Sequence, residues 1–129
     1  MKLLAPFLVL LVAATSSSTC NKAGVPDTCF KGKLEVKGIC SNYTVRILEG
    51  NMDTTLYAGS WTDENTGKEY KKVFALRNPC SFPDNLAEGD EFYFSIDSGT
   101  VKDCAVCQAY YPTPQRKLAI KILTNPCTR

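Results

Sequence analysis

The sequence predicts a small, disulfide-bonded, all-β protein of sandwich or barrel type. Three observations predict it. Short runs that alternate polar and apolar residues recur along the chain, separated by Gly, Pro, Asn and Asp turn signals. No stretch carries a convincing helical period. Seven cysteines follow an N-terminal segment with the layout of a secretory signal, and in a small extracellular domain such a set reads as a disulfide framework.

The chain opens MKLLAPFLVLLVAATSSST, with Lys2 ahead of an apolar run from Leu3 to Ala14 and small residues after it. This is a signal peptide within residues 1–19, cut somewhere in 14–19. Val12 and Ala14 suit a cut before Thr15, Ser16 and Ser18 a cut before Thr19, and a cut after Thr19 would expose Cys20. The run is too short for a bilayer, which needs roughly 20 apolar residues. Residues 20–127 are expected to form a single secreted domain without a membrane anchor. The charge is close to balanced, 15 basic against 13 acidic residues. That disfavours nucleic acid and anionic membranes, which select a strong positive field.

Residues Cys20 to Thr28 have no periodicity and read as an extended arm. Lys33–Lys37 alternates with apolar residues at 34 and 36, and Tyr43–Ile47 alternates at 43, 45 and 47. The change of phase requires a turn or bulge between them, so the pair reads as an antiparallel hairpin. Ser41-Asn42 is the expected turn and Gly38 a candidate bulge. Asn42-Tyr43-Thr44 is also an N-glycosylation sequon on that turn. Leu56–Trp61 reads as a short strand or a loop, and Thr62–Lys68 as a loop. Tyr70–Leu76, Glu91–Ile96 and Lys117–Leu123 are β-type runs. Between them lie Asn78-Pro79-Cys80, the segment Ser81–Asp90 with at most one brief helical turn, and a turn at Ser98-Gly99. The result is five to six short strands.

The chain contains no His, which removes the usual general base, the Ser-His and Cys-His pairs and the commonest zinc ligand. Glu88, Asp90 and Glu91 sit in a Gly-containing turn, where carboxylates are ordinarily solvated. Cys104-Ala105-Val106-Cys107 is a C-x-x-C, but it lies in an all-β context rather than at the start of a helix in a βαβ unit, so a structural role is expected. The protein is therefore expected to be a non-enzyme with no metal and no cofactor. Tyr57, Trp61, Tyr110 and Tyr111 adjoin polar loops or a proline. They are either core residues or anchors of a binding surface, where aromatics of this kind are usual.

The order of these features resembles a netrin-like module, the group that includes the N-terminal domain of tissue inhibitors of metalloproteinases. The resemblance rests on the N-terminal cysteine arm, on KLEV with YTVRI, on YKKVFALRNPC and on LAEGDEFYF, where Leu86, Gly89 and Tyr93 occupy the places of the family's turn and following strand. It implies a five-stranded oligonucleotide/oligosaccharide-binding (OB) barrel that binds an extracellular protein, a protease being one specific form. In the inhibitors a first mature cysteine, followed by a residue and a second cysteine, chelates the protease zinc through its free amine. Here the arm reads Cys20-Asn21-Lys22, so that role would require cleavage directly before Cys20. The resemblance also implies that Cys20 and Cys29 each bridge to one of Cys80, Cys104, Cys107 and Cys127, with Cys29 to Cys127 tying the chain ends. Cys40 has no equivalent in the family pattern and is the expected odd thiol. Cys104 and Cys107 are not expected to pair with each other, since so small a ring gains little. A competing resemblance, on LEVKGIC, Trp61-Thr62-Asp63 and Gln115-Arg116-Lys117, is to nematode transthyretin-like proteins. It implies a β-sandwich carrying a small apolar ligand; the netrin-like reading is preferred.

Overall fold

The computed structural model describes residues 28–102 and 104–127. The expected signal segment, Cys20 and Asn21 lie outside the described residues. The described chain is all-β. Its strands are β1 (Phe30–Lys37), β2 (Tyr43–Glu49), β3 (Ala58–Thr62), β4 (Glu69–Leu76), β5 (Glu91–Ile96), β6 (Lys117–Leu118) and β7 (Ile120–Leu123). They form one sheet in the order β3-β4-β2-β1-β5-β7, antiparallel throughout, with β6 paired in parallel to β4 off this path. The sheet is not closed into a barrel. The last β-type run is two strands rather than one, because the chain changes partner at Ala119, from β4 to β5.

The hairpin of β1 and β2 forms as the alternation requires, but its irregularities lie elsewhere than Gly38. Register shifts fall between Lys31 and Gly32 and between Leu34 and Val36. The second shift leaves Glu35 without a cross-strand partner, and an extra residue of this kind twists the strand beyond it. Leu34 accordingly joins the main core, whereas Val36 joins a second cluster with Tyr70 and Val73. The turn is a single 3-10 turn over Ile39–Ser41, in which Cys40 and Ser41 take positive φ. Asn42 closes it, its side-chain amide donating to the Ile39 carbonyl at 3.0 Å.

The main core is aromatic. Phe30, Phe74 and Phe94 are fully buried, and Phe82 and Phe92 pack against this group. Ring centroids stand 5.5–5.9 Å apart from Phe30 to Phe94, Phe74 to Phe94, Phe92 to Phe94 and Phe82 to Phe92, the spacing of tilted and edge-on contacts. A Cβ at Gly32 would meet the Phe94 ring at 2.8 Å, so glycine lets that ring lie against the backbone of β1. The loop 84–90 seals one end: Leu86 packs on the core, and Lys37 Nζ donates to the Asp84 and Leu86 carbonyls at 3.0 and 2.8 Å.

Three disulfides hold the described chain. Cys29–Cys127 ties the start of β1 to the segment after β7, and Cys80–Cys104 ties the turn after β4 to the chain after β5. Cys40–Cys107 ties the β1–β2 turn to that same segment, with Cα atoms 4.8 Å apart. Cys29–Cys127 is as expected, and Cys104 and Cys107 take separate partners. The expectation that Cys40 is the odd thiol is overturned. The turn carrying it lies beside residues 104–116, which cross the outer face of the hairpin; Tyr111 there touches Gly38. The expected bridge from Cys20 falls on a residue outside the described ones; of its expected partners, Cys80 and Cys104 are joined to each other, Cys107 to Cys40 and Cys127 to Cys29.

Candidate functional site

The four aromatics singled out in the sequence are strung along β3: Tyr57, which also packs on the main core, and Trp61 line one groove, Tyr111 packs with Trp61, and Tyr110 stands on the loop after the strand. Among the described residues this strand is an edge of the sheet and pairs only with β4. Trp61 lies opposite Tyr70, and the two rings stack at 5.9 Å with an interplanar angle of 22°. Tyr70 is buried among Val36 and Val73, with Ala58, Trp61 and Tyr111 packed around it. Lys68 Nζ sits 4.9 Å from the Tyr70 ring centroid, a cation–π contact. Trp61 and Tyr111 are thus half-buried members of one cluster, Trp61 also lining the groove along β3.

The loop from β3 to β4 is built by Asp63, which is buried although charged. Its carboxylate accepts the Asn65 N–H at 2.9 Å, and its backbone exchanges bonds with Lys68 and Gly67. Gly67 supplies the left-handed conformation the turn needs, at φ +72°. Next in the loop, Glu64 accepts a hydrogen bond from the Tyr110 hydroxyl at 3.2 Å. Tyr110 is otherwise 79% exposed, so it stands over the loop as a ring edged by solvent. Beyond Tyr111 the chain is held down by buried Pro112 and Pro114 and delivers Gln115 and Arg116 to the start of β3. There Tyr57, Trp61, Gln115 and Arg116, with the backbone of β3, line a shallow groove of about 550 Å³.

On the exposed side of the hairpin, Ser60 Oγ donates to Glu69 at 2.7 Å and Lys71 is paired with the same carboxylate. The hydrogen bonds from Lys71 and then Ser60 hold the Glu69 carboxyl below its ordinary pKa. Arg116 and Gln115 were not among the residues expected to bind. They precede a β-type run with no apolar signal of their own, and only the crossing of residues 104–116 brings them beside Trp61. Asn42 lies on the half-exposed hairpin turn, its carbonyl and the Tyr111 ring both against Gly38.

Two tyrosines titrate high. Burial, followed by the nearby carboxylate of Glu35, pushes the Tyr70 phenol up, while the hydrogen bond to Glu64 pushes Tyr110 up. A spectrophotometric titration is therefore expected to show two phenols ionising above the ordinary tyrosine range. Glu64→Gln should return the Tyr110 component toward its ordinary range and leave the Tyr70 component in place. A native state that holds a phenol protonated is favoured below about pH 10 and loses that advantage as pH rises through the raised pKa. A titration in which Glu64→Gln changes nothing would show that Tyr110 does not rest on the loop.

Comparison with family models, with curated proteins and with solved structures finds no match to this chain.

Proposed function

We propose that the chain is a secreted, non-enzymatic protein-binding module, and that it binds through the aromatic surface around β3. The observation that carries the reading is the groove along β3 lined by Tyr57, Trp61 and Arg116, with exposed Tyr110 over the loop that follows the strand. Rigid aromatics with an arginine beside a polar rim are the usual anchors of protein interfaces.

The finer fold we propose is OB-like, in keeping with the netrin-like resemblance. β6 and β7 are separated by one residue, and they pair respectively with β4 and with β5. Taken as a single broken strand, they lie between the two sides of the path β4-β2-β1-β5, where the fifth strand of an OB-like fold would run, with the sheet left open at a seam at Ala119. The residues that carried the resemblance support it: Leu86 packs on the core, and Gly89 takes φ +91° as the chain enters β5. Carriage of a small apolar ligand has less in its favour, since the core is filled by interlocking phenylalanine rings.

The test is capture of extracellular protein by the secreted chain, compared with a Trp61→Ala/Arg116→Glu variant of equal stability. A partner retained by the wild type should be lost by the variant. If both retain the same proteins, and an apolar small molecule co-purifies instead, the reading fails. Protease inhibition is a narrower form of it. N-terminal sequencing decides that form, because chelation of a protease zinc needs Cys20 to be the first residue.

A further inference from the structure

We propose that the β3 edge pairs with the β3 edge of a second copy of this chain, in an antiparallel arrangement whose two-fold axis passes through Ser60. This rests on the reading of the β3 surface as a protein-binding site and names its occupant.

The first argument is the unused backbone. The Asp63 N–H bonds to the Lys68 carbonyl, which fixes the phase of the β3–β4 ladder. Asp63 and Trp61 turn their backbone groups toward β4; Ser60 and Thr62 turn theirs outward. Among the described residues no backbone bond reaches those outward groups. The strand reads Ala58-Gly59-Ser60-Trp61-Thr62, with no charge and no proline. It therefore lacks the charges and proline that usually keep an edge from pairing with another chain.

The second argument is self-complementarity. With the axis at Ser60, outward-facing residues meet outward-facing residues, so the ladder closes without a frustrated rung. Ser60 meets its own copy, and Gly59 meets Trp61 twice. A Cβ at Gly59 would find nothing within 4 Å, so the space over this glycine is open to an indole from the other chain. An aromatic set across an edge glycine is a recognised stabilising pair.

The third argument is charge. Arg116 makes no ion pair among the described residues. The same axis carries Glu64 of the second copy to the end of the groove that Tyr57 and Arg116 line. Opposite charges then meet at both ends of the pairing. The strand is only five residues long, so the interface is small and association should be weak and concentration-dependent.

Sedimentation of the full secreted chain over rising concentration tests this. A monomer–dimer equilibrium is expected. Ser60→Pro removes an outward N–H and no internal rung, and should raise the dissociation constant about tenfold or more. Gly59→Lys should do the same by filling the open space the incoming indole needs and by putting a long charged side chain on the edge, the device that keeps natural edges unpaired; it decides the matter if Ser60→Pro fails to fold. Arg116→Glu should weaken the dimer, and Arg116→Glu combined with Glu64→Arg should restore it. A chain that stays monomeric up to about 1 mM overturns the proposal, and so does a dimer that Gly59→Lys leaves intact. A monomer that still captures a different extracellular partner would overturn self-pairing while leaving the protein-binding reading standing.

Discussion

Replacing Cys29 and Cys127 together by serine should cost about 3.7 kcal/mol of stability, less any strain the bridge imposes. The pair closes a loop with a sequence separation of 98, and taken alone such a loop would be worth about 4.7 kcal/mol in lost freedom of the unfolded chain. It does not stand alone. Cys40–Cys107 already ties the chain inside that loop, so only about 31 residues remain to be closed by the outer bridge. The bridges are therefore coupled through the unfolded state. Removing Cys40 and Cys107 first should raise the worth of the outer bridge by about 1 kcal/mol. Urea denaturation of the two double-serine variants and their combination measures this. The m-value should also rise as the unfolded chain expands. A loss below about 1 kcal/mol, or strict additivity of the two bridges, would mean that the unfolded chain is already compact or the native bridge strained. A domain of this size has only about 5–15 kcal/mol in all, so the bridge decides a large share of it.

What could be read from the sequence, and what could not, divides along the range of the interaction. The hairpin of β1 and β2 was legible because period-two alternation is local: Leu34, Val45 and Ile47 are all in the main core. Val36 was not, because one unpaired residue, Glu35, turned it to the other side, and no local signal separates a bulged strand from a straight one. The aromatics Tyr57, Trp61, Tyr110 and Tyr111 could be named from their polar and proline neighbours. That they all lie along β3 could not, since it depends on where residues 104–116 cross the sheet. The same crossing explains the error at Cys40. A cysteine in a turn reveals nothing about which distant segment will pass over it. Cys29–Cys127 was anticipated only because the resemblance supplied a pairing. The break at Ala119 was hidden for a different reason: Lys117–Leu123 alternates as one strand, and the change of partner leaves the pattern untouched.

That break puts one side chain in a position to control the sheet. Asn78→Leu should cost about 3–5 kcal/mol, the loss expected when two backbone groups are stranded in a buried place. β4 meets the last strands through the pairs Ala75–Lys117 and Leu76–Leu118, extended by the Arg77 N–H to the Leu118 carbonyl at 3.0 Å. It can go no further, because Pro79 turns the chain into a 3-10 turn. Asn78 supplies the next rung with its side chain. Its amide nitrogen donates to the Ile120 carbonyl at 2.7 Å, and its amide oxygen accepts the Ile120 N–H at 3.0 Å. A carboxamide has the donor and acceptor of a peptide group, so it can imitate a strand where no strand remains. Asn78 is itself buried, and its amide is steadied by Ser81 Oγ at 2.8 Å. Leucine has similar bulk and neither polar group. Denaturation measures the loss, and amide exchange locates it. The Ile120 N–H should lose protection well beyond the fall in global stability, while the Leu34 N–H should follow the global change. Asn78→Asp separates the two bonds. At neutral pH its carboxylate still accepts the Ile120 N–H but repels the Ile120 carbonyl, which should raise its pKa in the folded state. Stability should then be partly restored below about pH 4, where the acid is protonated and can donate, and be lost as pH rises through the raised pKa. An Asn78→Leu variant that is nearly as stable as the wild type, with Ile120 still protected, would mean that the seam is held by the core packing of Leu118 and Ile120 alone.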